Sequence, residues 1–91
     1  MSPALRILEK RREPRQAARG TVILRLPGPH PVEIRGQLVD VSSSGFRAAY
    51  DSTPFEAGQV IEFEHSRLRG SARVIWNRIG GGQIQTGFLI L

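Results

Sequence analysis

The sequence contains no cysteine, and Lys10 is the one lysine among its thirteen basic residues. Without cysteine the chain forms no disulfide bond and offers no thiolate to a metal ion, so we expect a reducing, cytoplasmic location. It also lacks an apolar run close to the roughly 18 residues that a membrane-spanning helix requires. Charged residues between Glu9 and Arg15 stand where a secretory signal would need an apolar segment. Together these absences predict a soluble protein without membrane insertion.

Patterns of catalytic residues are scarce as well. His30 lies in a proline-rich turn and His65 at the end of a predicted strand, and we expect both side chains to be exposed to solvent. No pair of carboxylates accompanies them in a pattern typical of an acid–base centre or a metal site. The sequence therefore predicts a binding protein rather than an enzyme, with neither a metal ion nor a cofactor.

The positive charge of the chain is concentrated near its N-terminus. Residues 1–20 carry a net charge of +4, whereas residues 21–91 carry +1. A chain of 91 residues is long enough for one small domain and too short for two. The charge distribution therefore predicts a nearly neutral body with a basic N-terminal arm that attracts anions.

The apolar pattern predicts an all-β body preceded by a short helix and the arm. Six strands are expected at residues 21–26, 32–40, 45–50, 59–65, 69–77 and 83–91. We expect them to close into a small antiparallel barrel, because closure removes exposed strand edges. Ser2 and Pro3 favour a helix over residues 2–10, and Pro14 marks residues 11–20 as an irregular, flexible arm. Residues 1–20 are thus predicted to form the helix and arm, and residues 21–91 the barrel, within a single domain.

Two short motifs carry residues suited to ligand binding: the pair Arg11 and Arg15, and the group Asp40, Ser42 and Gly45. Each motif also has an ordinary structural explanation. Arginine pairs four residues apart are common in a basic chain, so the first spacing is uninformative alone. In the second motif, Asp and Ser side chains cap turn amides, and Gly45 supplies a backbone conformation that other residues disfavour. Neither motif identifies a function by itself.

In this order the motifs read RxxxR and DxSxxG, a combination that resembles the PilZ domain, a bacterial receptor for cyclic di-GMP. The resemblance covers about residues 10–91. It implies that ligand binds on the outer face of a six-stranded barrel and that the arginine segment folds over it. It also implies that Arg11 and Arg15 hold phosphate and guanine, and that Asp40, Ser42 and Gly45 surround a guanine.

The polarity of these side chains agrees with that ligand. Arginine forks match phosphate oxygens and the O6 and N7 acceptors of guanine. A carboxylate matches the opposite guanine edge, which presents the N1–H and N2–H₂ donors. The two motifs are therefore complementary in chemistry, with donors on the arm and an acceptor at a strand end.

Four further residues are secondary candidates for ligand contact: Lys10, Arg12, Ser44 and Trp76. Lys10 immediately precedes the first motif. The resemblance implies that the residue at this place influences whether one nucleotide or a stacked pair binds, and the basic Lys10, which could meet a second phosphate, favours the pair. Trp76 lies in a strand followed by glycines, as in the family. Its alternation with Ala72 and Val74, however, favours a place in the core or at the barrel rim.

Two other functions are compatible with a basic arm on a small barrel. One is a single-stranded nucleic-acid-binding protein, although interleaved aromatic and basic residues are absent from the strand faces. The other is a protein-interaction module that binds no nucleotide. For a cyclic di-GMP receptor, we expect a downstream protein partner, whose identity and output the sequence does not reveal.

Overall fold

The computed structural model describes residues 14–66 and 68–91, and these residues form an all-β structure with no helix. Its seven strands are β1 (Gln16–Ala17), β2 (Thr21–Leu26), β3 (Val32–Val41), β4 (Gly45–Tyr50), β5 (Val60–His65), β6 (Leu68–Gly80) and β7 (Gln83–Ile90). Strands β2 to β7 correspond to the six predicted strands. The helix predicted for residues 2–10 lies outside the described residues.

Six of the strands close into a barrel. Their order is β3-β2-β5-β6-β7-β4, and β4 pairs again with β3, so the sheet has no open edge along these six strands. Every pairing is antiparallel. The predicted six-stranded antiparallel barrel is therefore confirmed.

Strand β1 is an addition that the sequence did not predict. It pairs antiparallel with the end of β3, with Gln16 opposite Val41 and Ala17 opposite Asp40. Strand β2 pairs with the earlier part of β3. The prediction that residues 11–20 are irregular throughout was thus wrong for Gln16–Ala17, because the free end of β3 offers this segment backbone partners.

Inward-facing side chains from all six barrel strands form one core. Phe46 is fully buried near its centre, with ring centroids 4.7 Å from Phe88 and 4.9 Å from Phe63. His65 also lies in this core at 7% exposure, with its ring stacked 5.5 Å from Phe63. The prediction that His65 is exposed was wrong, because it continues the inward alternation of Ile61 and Phe63 on β5.

Two features of the described residues bear on function. The residues that the structure describes contain no helix long and apolar enough to cross a membrane. The glycine turn between β6 and β7 has Gly81 and Gly82 at φ of 60° and 78°. This backbone conformation suits a two-residue hairpin turn.

Candidate functional site

The β3–β4 hairpin brings Asp40 directly opposite Arg47. A bulge in β3 lies between Leu38 and Asp40, which pair with the consecutive residues Ala48 and Arg47 of β4. Val39 is therefore an extra residue in β3, and it reverses the direction in which the following side chain points. Leu38 faces the core, whereas Asp40 shares the outer face with Arg47. The bulge therefore turns the motif carboxylate out of the barrel.

Two arginines cover the Asp40 carboxylate. Arg47 donates to Asp40 Oδ2 from Nε at 2.7 Å and also from Nη2. Arg15 donates to the other oxygen, Oδ1, from Nη1 at 2.9 Å. Although Asp40 lies on the outer face, these contacts leave its side chain only 7% exposed. A carboxylate buried to this degree needs such partners to remain charged.

The electrostatics of this cluster keep Asp40 ionised. The hydrogen bond from Arg47 is the main reason that the pKa of Asp40 lies below its ordinary value, although burial opposes it. The positive charges of Arg47 and Arg15 lower this pKa further. The hydrogen bond to Asp40 in turn raises the pKa of Arg47. The outer face therefore presents a carboxylate, not a carboxylic acid, at neutral pH.

Strand β1 places Arg15 in this cluster. Ala17 pairs with Asp40, and the Ala18 N–H donates to the Val39 carbonyl at 3.1 Å. Arg15 immediately precedes the strand, and its side chain returns to the carboxylate. The short pairing of the arm with β3 thus connects the two sequence motifs in space.

Ser42 and Gly45 form the turn that joins β3 to β4. The Ser42 N–H donates to the Gly45 carbonyl at 2.9 Å, and its hydroxyl approaches the same oxygen at 3.4 Å. The carbonyl of Ser44 accepts from the Ile90 N–H at 2.8 Å. These contacts hold the turn against the end of β7.

Gly45 is required for a reason other than the one predicted. Its φ is not positive, so the expectation of a conformation that other residues disfavour was wrong. Instead, a Cβ at this position would lie 2.1 Å from the carbonyl oxygen of Phe88 on β7. The close approach of two backbones leaves no room for a side chain.

Trp76 lies half-buried on the outer face, so of the two places that its alternation favoured, the core and the barrel rim, the core position was wrong. A bulge in β6 between Val74 and Trp76 shifts the alternation by one residue. Trp76 therefore pairs with Gly87, and its indole covers that glycine so closely that a Cβ there would lie 2.4 Å from Nε1. The guanidinium of Arg78 lies 5.9 Å from the indole centroid, within range of a cation–π contact.

The register joins these residues into one row. Asp40 pairs with Arg47, Arg47 with Gly87, and Gly87 with Trp76, across β3, β4, β7 and β6. Directly paired residues on one face have Cβ atoms about 5 Å apart. We call these four residues the outer row. It combines a carboxylate, a guanidinium and an indole beside the point where the arm joins β3.

A family model described as the PilZ domain matches residues 9–90. The chain belongs to the PilZ family. PilZ domains are in general cyclic di-GMP receptors and binding modules rather than enzymes. No curated protein matches the chain closely enough to count as a relative.

Within this PilZ domain, the structure brings together several of the residues predicted from the motifs. Arg15 contacts Asp40, Ser42 and Gly45 form the adjoining turn, and Trp76 ends the outer row. Lys10, Arg11 and Arg12 lie outside the described residues.

Sequence reasoning missed Arg47. Paired positions in an antiparallel hairpin lie symmetrically about its turn. The predicted turn at residues 41–44 would place Gly45 opposite Asp40. The observed register instead pairs Asp40 with Arg47, so the predicted strand bounds did not identify this partner.

Proposed function

We propose that this PilZ domain is a receptor for cyclic di-GMP, that binding rearranges its basic arm, and that the altered surface is recognised by a downstream protein partner. The observation that carries the proposal is the ionised Asp40 carboxylate on the outer face, in contact with Arg15 of the arm. Acceptor and donor groups thus lie together at the base of the arm, as a guanine nucleotide requires.

In this proposal each group has a distinct partner on the nucleotide. Asp40 accepts from the N1–H and N2–H₂ donors of guanine, and Ser42, Ser44 and Gly45 border that base. Arg11 and Arg15 donate to phosphate oxygens and to the O6 and N7 edge of guanine. Lys10 and Arg12 supply further positive charge near the phosphates, and the Trp76 indole offers an aromatic surface at the far end of the outer row.

The arm is the part of the chain that we expect to change on binding. Strand β1 pairs Gln16–Ala17 of the arm with β3, and the residues before it in the sequence carry most of the basic motif. Ordering these residues around a nucleotide costs conformational entropy, which the contacts to phosphate and guanine must exceed. Hydrogen exchange across residues 10–19 should therefore slow when cyclic di-GMP is added.

Calorimetry with matched variants tests the proposal. Cyclic di-GMP should bind the wild-type protein, while Arg15→Ala and Asp40→Asn should each weaken binding by about tenfold or more, because each removes a charge-assisted contact. Arg19→Ala is the control, since Arg19 is an exposed arm arginine outside the Asp40 cluster. Thermal melts of each variant separate lost binding from lost folding.

Competition with other ligands distinguishes this proposal from a single-strand binder. A guanine receptor should prefer cyclic di-GMP to cyclic di-AMP, because adenine lacks the N1–H and N2–H₂ donors from which Asp40 accepts hydrogen bonds. A single-strand binder should instead bind oligonucleotides with steep salt dependence and without this preference. The proposal fails if wild-type protein and Arg15→Ala are equally indifferent to cyclic di-GMP.

A further inference from the structure

The Asp40 carboxylate makes two unequal sets of contacts. Oδ2 accepts from two nitrogens of Arg47, which lies directly opposite on β4. Oδ1 accepts from one nitrogen of Arg15, which belongs to the arm. The two arginines therefore hold different oxygens, and Arg47 makes the greater number of hydrogen bonds.

The two arginines also differ in how firmly the fold holds them. Strand β4 is paired along its length with β3 on one side and β7 on the other, so the backbone of Arg47 is fixed within the closed barrel. Strand β1 has two residues and a single neighbour, β3, among the described residues. The side chain of Arg15 is 46% exposed, against 32% for Arg47. The contact with Arg15 is thus the easier one to break.

The number of acceptor sites on Asp40 limits what can bind there. A carboxylate offers about four lone-pair sites. Three N–H groups of the described residues already occupy Asp40, two from Arg47 and one from Arg15. The guanine edge brings two separate nitrogen donors, N1–H and N2–H₂. Both cannot be accepted with good geometry while all three arginine contacts persist.

We propose that Arg47 is a positioning residue that keeps its hold on Asp40 Oδ2 when ligand binds, whereas the guanine edge displaces Arg15 from Oδ1. This inference rests on the proposed function. The guanidinium of Arg15 is then released at the edge of the site, where it is free to donate to a phosphate or to guanine O6 and N7. Arg15 acts as an exchangeable cap on Asp40, and Arg47 as its permanent support.

The first test uses the protein without nucleotide. The carboxyl ¹³C signal of Asp40 is titrated by NMR in wild type, Arg47→Gln and Arg15→Gln. The pKa of Asp40 should rise more in Arg47→Gln, because the Arg47 hydrogen bond is the larger cause of its depression. Arg25→Gln is the matched control, since Arg25 pairs across strands with Glu33 in the same way at an exposed site. An equal or larger rise in Arg15→Gln overturns the assignment of Arg47 as the support.

The second test follows both arginines during binding. In wild-type protein the Nε–H signal of Arg47 should keep its chemical shift when cyclic di-GMP is added, while the side-chain signals of Arg15 should move. Arg47→Gln should bind about tenfold more weakly at neutral pH. As the pH is lowered, the affinity of this variant should begin to fall at a higher pH than the affinity of wild type, because its Asp40 takes up a proton sooner. Arg47→Lys retains the charge and should recover part of this loss, which a merely misfolded variant would not do.

The outcomes separate this inference from the proposed function. If wild-type protein does not bind cyclic di-GMP, the proposed function fails, and the titration of Asp40 alone still decides which arginine supports it. If wild type binds but Arg47→Gln matches it in affinity and pH profile, the inference fails and the receptor proposal stands. Movement of the Arg47 signal with an unchanged Arg15 signal also overturns the exchange.

Discussion

Replacing Gly45 by alanine should damage the fold rather than selectively remove a ligand contact. The added Cβ would lie 2.1 Å from the Phe88 carbonyl oxygen, more than 1 Å inside ordinary van der Waals contact. Since this neighbour is backbone in a paired strand, it cannot rotate away. Overpacking of this kind costs roughly 1–3 kcal/mol and occasionally more, and the rigid neighbour places Gly45→Ala at about 3 kcal/mol or above. For a domain of this size the melting temperature should fall by at least about 12 °C.

Gly70→Ala is the matched control for this experiment. Gly70 also lies in a barrel strand, but its added Cβ would meet only the Phe63 ring at 3.5 Å, an ordinary contact. That variant should be neutral or more stable by up to about 1 kcal/mol, because alanine reduces the entropy of the unfolded chain. Thermal melts followed by circular dichroism measure both variants. A Gly45→Ala protein that melts within about 2 °C of wild type yet fails to bind cyclic di-GMP would refute the packing argument.

Two further predictions concern the core. Burial lowers the pKa of His65, so the unfolded chain takes up a proton that the folded protein resists, and the free energy of unfolding should fall as pH drops from about 7.5 through the ordinary histidine pKa near 6.5. Urea unfolding of His65→Leu should lack this part of the pH dependence, and an unchanged profile would contradict the assignment. Tyr50→Phe should lower the free energy of unfolding by about 1–2 kcal/mol, because the Tyr50 hydroxyl bonds Thr86 Oγ1 at 2.8 Å within the core. An unchanged urea midpoint would show that this hydrogen bond contributes nothing.

Much of the barrel could be predicted from the sequence because its strands alternate apolar and polar residues between clear turn signals. The bounds of β2 and β4 agree with the prediction, and those of the other predicted strands differ by one to three residues. Strand β1 escaped prediction because two residues are too few to show alternation. Its pairing depends on the free end of β3, which is a property of the assembled sheet.

The candidate site was harder to predict because bulges control which side chains reach the outer face. One extra residue in β6 reverses the alternation after Val74 and brings Trp76 outward, against the parity argument. Such an insertion leaves no mark on composition or periodicity. Arg47 was missed for a different reason, since its role depends on hairpin register rather than on a motif. The burial of His65, by contrast, was already visible in its alternation with Phe63.

The position of Trp76 gives this protein an internal optical probe. It is the single tryptophan of the chain, and it lies half-buried on the outer row beside Gly87, with strand β7 between it and Arg47. Its fluorescence therefore arises from one known place, near the groups that we expect to meet the nucleotide. Changes in its emission during a titration report on that face alone, without an added label and without contributions from other indoles elsewhere in the molecule.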